Sequence, residues 1–320
     1  LAGTPRENDV VPLDTVEAPL SLPGHIADLR ARAASSDDTV DAQLAAVLLA
    51  LMAREGIASA QPERWLGAGG TPTTDVEYQG DVKLSPSQFE RALACPLRWF
   101  LTTIGADGPS NAAASLGTLV HALAEENPHG SAQELTEALE ARIEELGYNL
   151  DTWAGRHSER RAHAIVDNLA SYIVGVPGRV DVEQMVEAQV EGVTIRGRMD
   201  RLEHVDEGVR VTDLKTGKSG YSAKTVPDNP QLAAYQMALL ASGQKVAGAR
   251  IALLGDKKPK TFDQKPLEGE ELRKWHEKVR EVADAARGPY FQATPSEEAC
   301  RYCPFDRLCP ARERGRKVVE

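Results

Sequence analysis

A chain of 320 residues with 42% hydrophobic and 27% charged residues has the make-up of an ordinary globular protein, long enough for one large domain or two modest ones. Its most apolar stretch, around residues 42–53, falls well short of the roughly 20 residues that cross a bilayer, and no basic segment leading into a small-residue cleavage site opens the chain, so a cytoplasmic location without membrane attachment is expected. The net charge of −11 would speak against nucleic acid, but it is unevenly spread: residues 1–80 hold 12 acids and 5 bases, whereas residues 195–265 hold 13 bases and 8 acids.

In chain order, residues 1–35 mix proline, glycine and acids without periodicity and read as a linker or extended arm. Asp37 or Asp38 is placed to cap a helix running to about Arg54, with Val40, Leu44, Val47, Leu48 and Leu51 on its packing stripe. A loop over 66–80 follows, and a boundary near residue 82 separates an acidic arm, 1–82, from a domain over 83–320.

Ser85, with Pro86 next and Gln88 three residues on, starts a helix with a capping box. Its apolar stripe through Phe89, Leu93 and Leu97 is interrupted at Cys95-Pro96, because proline removes a donor and disfavours helix in the residue before it. A cysteine at a helix break is well exposed for ligation. A second helix, about 115–126, packs Leu116, Leu119, Val120 and Leu123 and carries Gly117 and His121 on another face. Residues 131–175 are helical by pattern, with a break around Gly155. From Val182 the period changes to two, with turns at Gly192 and at 206–208. A helix over 231–241, a strand over 249–255 and a helix over 270–286 complete a mixed α/β order.

The stretch 197–217, GRMDRLEHVDEGVRVTDLKTG, puts Asp200 on one strand and Asp213 and Lys215 on its hairpin partner. Val209, Val211, Asp213 and Lys215 share one parity, so their side chains leave the same face. Two carboxylates and an ammonium at the ends of otherwise buried strands suit a divalent cation, which takes hard oxygen ligands. Taken alone, the Asp-x-Lys pair reads more simply as a solvated salt bridge at a strand end.

Four cysteines, Cys95, Cys300, Cys303 and Cys309, give a C-terminal C-x2-C-x5-C with a fourth thiol far upstream, and three of the four precede proline. Disulfides are disfavoured in a cytosolic chain. A zinc site and unrelated thiols are both open to this set, while Cys-Pro after a short-spaced run suits the thiolate cage of a [4Fe–4S] cluster. Metal held by all four would staple the first helix of the domain to its C-terminus, so that binding free energy becomes folding free energy.

His121 in GTLVH, Asp200 in GRMD, Asp213 and Lys215 in DLKTG, Gln231 and Tyr235 in QLAAY, and the split cysteine set together make residues 84–312 resemble the RecB-type nucleases of the PD-(D/E)XK superfamily, specifically the iron–sulfur nuclease domains of AddB and AdnA/AdnB helicase–nucleases. The resemblance implies a restriction-endonuclease-like α/β core with a mixed central sheet flanked by helices. It implies Mg²⁺ or Mn²⁺ held by His121, Asp200, Asp213 and the Leu214 carbonyl, with Lys215 holding or activating the water. Gln231 and Tyr235 would support the site or touch the DNA backbone, and Cys95, Cys300, Cys303 and Cys309 would hold a [4Fe–4S] cluster. An acid on the strand before Asp200 is also implied, with Glu187 preferred over Glu191. Arg196, Arg198, Arg201, Lys218 and Lys224 are candidates for phosphate contacts.

The implied activity is hydrolysis of DNA, mainly single strands at duplex ends, beside a helicase motor in a heterodimer that resects double-strand breaks. Residues 1–82 would then be a linker or the end of the motor region. Two alternatives stand beside this one: a free-standing exonuclease similar to the CRISPR-associated RecB-like nucleases, and a cluster-stapled module that binds DNA without cutting it.

Overall fold

Pairing among the strands β1 (Val82–Leu84), β2 (Val180–Val190), β3 (Val193–Val205), β4 (Gly208–Lys215), β5 (Val246–Leu253) and β6 (Lys260–Gln264) gives one mixed sheet in the order β1-β3-β4-β5-β6, with β2 also on β3. The computed structural model describes residues 21–35, 38–62, 77–107, 116–218, 220–306 and 308–312. The chain divides into two units, 1–74 and 75–320, and the sheet belongs to the second. β1–β3 and β4–β5 run parallel; β2–β3, β3–β4 and β5–β6 run antiparallel.

Helices cover both faces. On one side lie α3 (Pro86–Ala94), α4 (Pro96–Thr103), α8 (Pro230–Ala241) and α9 (Gly269–Arg287), whose apolar residues merge with the sheet through Phe89, Trp99, Leu232, Met237, Trp275 and Val279. On the other lie α5 (Leu116–Glu126), α6 (Ala132–Arg142) and α7 (Trp153–Val174), packed on Leu214, Ala252 and Leu254. The result is an α/β/α sandwich with the mixed central sheet expected from the sequence.

Local chemistry explains the boundaries. Ser85 and Gln88 form the capping box of α3, and Cys95 ends α3 while starting α4, its extended backbone being what the following proline demands. Thr152 caps α7, so the break expected around Gly155 falls instead before residue 153, and Gly155 lies within the helix, where a Cβ would meet the Asn149 carbonyl. Residues 231–239 of α8 are all buried, as befits a helix pressed between sheet and outer helices. Strand β6 lacks the apolar alternation that marks a strand in sequence, since only Gln264 of its five residues is buried.

The sheet parts at one place. β2 fills one edge of β3 from residue 193 to 203, so β1, on 193–195, and β4, on 201–205, share the other edge. Among the described residues, 196–200 therefore have no strand partner on that edge. Pro86, at the start of α3, and Tyr235 of α8 approach Gly197 there so closely that a Cβ would stand 2.5 Å from Pro86 Cδ, which requires glycine in GRMD.

The first unit departs from expectation. A helix α1 (Leu22–Ser35) occupies part of the stretch read as a linker, and it packs Ile26 and Leu29 against Ala45 and Leu49 of α2 (Thr39–Arg54), which Asp38 caps. Of the stripe expected to pack, Val40, Leu44, Val47 and Leu51 are exposed, Val40 to 74%, and only Leu48 is half-buried against this cluster. Within this unit the buried side is set by the neighbour α1, which sequence periodicity alone does not locate. Residues 1–20 and most of the 66–80 loop lie outside the described residues.

Candidate active site

Where β3 and β4 part, their acids come together. The last paired residues are Arg201 and Thr212, so Asp200 and Asp213 stand one step past the ladder, while β4 stays paired with β5 through Lys215. The amide of Leu214, freed from β3, donates to Asp200 Oδ2 at 2.7 Å. The other Asp200 oxygen lies 3.2 Å from His121 Nδ1 on α5. That hydrogen bond raises the His121 pKa against the opposing effect of burial.

Asp213 is buried. Its Oδ1 accepts from Gln231 Nε2 at 2.8 Å, and its Oδ2 lies 2.7 Å from Lys215 Nζ, with no hydrogen-bond donor aligned on it. Burial pushes this carboxyl up to about 6, against the pull of Lys215. Burial also works against the Lys215 ammonium, but the charge of Asp213 more than offsets it and holds the ammonium above the usual lysine range. Lys215 Nζ also donates to Gln231 Oε1 at 3.2 Å, so one side chain of α8 fixes both members of the pair. Asn229, which caps α8 through the Leu232 amide, sets where Gln231 begins.

Tyr235 donates to the carbonyl of Arg198 at 2.7 Å, satisfying a main-chain acceptor that the parted edge leaves over. In this structure it braces β3.

The nearby acid on β2 is Glu183. The β2–β3 register passes from Val182↔Arg201 to Gln184↔Met199, so Glu183 faces Asp200, and it does so with φ of 50°, a conformation rare for residues with side chains. Donor atoms of His121, Glu183 and Asp200 all lie within 4.8 Å of one another, whereas Asp213 stands outside that group, tied to Gln231 and Lys215. Burial raises the Glu183 pKa against a hydrogen bond from Arg198. Glu187, the residue preferred from the sequence, pairs with Arg196 instead, and Glu191 pairs with His276 and Arg280 of α9. Counting back from the turn would have found Glu183, since Val190 pairs with Val193 and the same register puts 183 opposite 200.

An imidazole and two carboxylates in one group, beside a buried Asp213 oxygen lacking an aligned donor, fit a hard divalent cation. The thiols are less gathered. All four cysteines are free and partly buried, and among the described residues no three bring their sulfurs within 4.8 Å of one another. Their segments nonetheless meet. Leu97 N donates to the Gln292 carbonyl at 3.1 Å, Thr294 Oγ1 to the Ala94 carbonyl at 3.0 Å, and Arg98 Nη1 to the Ala299 carbonyl at 2.8 Å. Phe291 stacks on Phe100 with centroids 3.9 Å apart. The helix break at Cys95 thus lies against the segment that leads into Cys300, on α10 (Glu297–Cys300).

Of the candidate phosphate contacts, Arg196, Arg198, Lys218 and Lys224 are exposed, the first two paired with Glu187 and Glu183. Arg201 is not available: it is 0% exposed, with Nη1 and Nη2 both 3.2 Å from the Pro128 carbonyl. The neighbouring Glu203, also buried, binds Tyr172 and Arg210. Part of the basic surplus of 195–265 is therefore spent inside the fold.

The sequence profile described as the PD-(D/E)XK nuclease superfamily matches residues 83–310. Among curated proteins the chain is similar to Gene 69 protein of Mycobacterium phage D29, 26% identical over 265 residues, covering 71% of this chain and 96% of that protein. Among solved structures it is similar to SSO0001 (14% identity, TM-score 0.39, covering 84% of this chain and 97% of that one). A Eubacterium rectale protein provisionally named an exonuclease is similar at 15% identity and TM-score 0.42, covering 73% of this chain and 94% of that one.

Proposed function

Because this chain belongs to the PD-(D/E)XK nuclease superfamily, we propose that it is a Mg²⁺- or Mn²⁺-dependent DNA nuclease acting mainly on single strands. The observation that carries this reading is the convergence of His121, Glu183 and Asp200 beside the Asp213–Lys215–Gln231 set at the parted edge of the sheet. His121, Glu183, Asp200 and Asp213 would hold the cation, with the Leu214 carbonyl as the ligand implied by resemblance. When bound, the cation supplies a water of lowered pKa and neutralises charge building on the phosphate.

The chain's own residues then have distinct work. Lys215, its ammonium favoured by the charge of Asp213, is placed to hold or activate the water and to pair with a phosphate oxygen. Gln231 fixes the direction of both side chains. The Leu214 amide and His121 fix Asp200, and Tyr235 keeps the unpaired stretch of β3 in place. The test is Asp213→Ala: in Mg²⁺ it should leave single-stranded DNA uncut while the circular dichroism spectrum stays native. Cleavage that persists in that variant sinks the reading.

The same proposal includes a [4Fe–4S] cluster on Cys95, Cys300, Cys303 and Cys309, supported by the contacts that hold the Cys95 break to residues 292–299. It also includes work beside a helicase motor in a heterodimer that resects double-strand breaks, which rests on resemblance to AddB and AdnA/AdnB. A second reading, a free-standing exonuclease, is favoured by the phage relative, which is matched over 96% of its own length. Co-purification of the native protein with a helicase polypeptide, or its recovery alone at its own mass, separates the two.

A further inference from the structure

A cleft of about 420 Å³ opens beside the end of β4, lined in part by His157, Arg160, Arg161, Lys218 and Lys257. Arg161 Nη2 lies 3.5 Å from the carbonyl oxygen of Thr216, the residue after Lys215, which ties the cleft to the end of that strand. Gly255 makes the junction close: a Cβ there would stand 2.2 Å from the Gly217 carbonyl, so the ends of β4 and β5 meet backbone to backbone under the cleft. Among its described lining residues the carboxylate is Asp256, which is held by Lys260. Among the described residues, neither Arg160 nor Lys218 has a carboxylate within ion-pair distance.

One turn toward the start of α7, Trp153 is 69% exposed and lies flat on His157, with centroids 5.2 Å apart and planes 8° from parallel. Thr152 already caps the helix, so this indole neither caps it nor fills a core. Along the helix it sits about 12 Å from Arg161, at roughly 1.5 Å per residue. A basic groove that tracks a backbone, with an aromatic plane for unpaired bases, is the chemistry of single-strand binding, whereas bases in a duplex are already stacked on one another.

We propose that Trp153 on His157 is a base-stacking platform, and that Arg160, Arg161, Lys218 and Lys257 form the phosphate track joining it to Lys215. The path of the strand to the cutting centre rests on the nuclease reading; binding on this face does not need cleavage.

The experiment is fluorescence anisotropy in EDTA, with a labelled oligothymidylate of about 20 nucleotides and a blunt DNA duplex as probes. Loss of one base stack should weaken oligothymidylate binding by Trp153→Ala about 5- to 150-fold and leave duplex binding unchanged. Trp153→Phe, which keeps a ring, should recover most of the affinity. Arg160→Ala with Lys218→Ala should weaken both probes and lower the salt slope for the single strand by about 1.4, at roughly 0.7 per phosphate contact. Native circular dichroism spectra keep misfolding out of the comparison. Unchanged single-strand binding by Trp153→Ala, or an equal loss on duplex, overturns the platform. If wild-type protein cuts nothing in Mg²⁺ or Mn²⁺ yet Trp153→Ala loses single strands, the platform stands and the nuclease reading falls. If wild type cuts while Trp153→Ala binds normally, only the platform falls.

Discussion

The amide of Gln231 bridges a buried ion pair: its nitrogen stands 2.8 Å from Asp213 Oδ1, and its oxygen 3.2 Å from Lys215 Nζ. Groups that orient metal-site side chains typically contribute 10–100-fold to metal affinity or activity. Gln231→Glu keeps the shape but sets a second carboxylate against Asp213. Its kcat should fall by about that factor with KM for single-stranded DNA little changed, and steady-state kinetics at saturating Mn²⁺ would show the split. A change confined to KM would mean that Gln231 contacts the substrate instead.

Glu183 and Glu187 make opposite predictions for a neutral substitution. Glu183→Gln should weaken Mn²⁺ binding by about tenfold or more in calorimetric titration. Glu187→Gln should leave it within error, because Glu187 pairs with Arg196 at the surface. The reverse result would return Glu187 to the metal site.

Protonation of Asp213 gives a pH signature. Its carboxyl is raised from 3.8 to about 6 in the folded protein, so the native state holds this proton more tightly than the unfolded chain does. The stability it contributes is complete below pH about 4 and is lost as the pH rises through about 6. A cation competes for the same oxygen. The rise in Tm caused by Mn²⁺ should therefore grow across that window and level off above it. Melting curves at half-unit pH steps, with and without Mn²⁺, measure this directly, and a flat difference would remove Asp213 from the cation site.

Arg201 should behave as a core residue. Arg201→Ala strands the Pro128 carbonyl and leaves a void beside Tyr172, at a cost of about 3 kcal/mol. Urea unfolding reads that loss, while the salt slope of DNA binding stays as in wild type. A shallower slope would instead place Arg201 on DNA.

For the cysteines, Cys95→Ser and Cys303→Ser should each abolish the visible absorption and iron content of anaerobically purified protein. Each should lower Tm by a similar amount, and the double variant by no more than either alone. Zinc in place of iron would support the tetrathiolate alternative, and independent effects of the two substitutions would separate Cys95 from the tail.

Much of the site was legible because a strand has a strict period. The parity of Asp213 and Lys215, and the hairpin that brings Asp200 to them, follow from alternation and a turn. Glu183 escaped because its place depends on the register of an 11-residue strand against its partner and on a local positive φ. Helix α1 was hidden by Pro23 and Gly24, which read as loop although proline is at home in a first helical turn. The exposed stripe of α2 marks a related gap: periodicity shows an apolar side but not what lies against it. Arg201 shows that charge counted along a sequence does not say which cations reach solvent.

Where β3 and β4 part, a rung of the sheet is reassigned, and the Leu214 amide serves Asp200 instead of a neighbouring strand. This contribution is written in the main chain and is silent in the alphabet of side chains. Position 214 should tolerate any apolar residue that fits beneath α5 to α7. Proline alone deletes the donor, and with it the clamp on the first carboxylate.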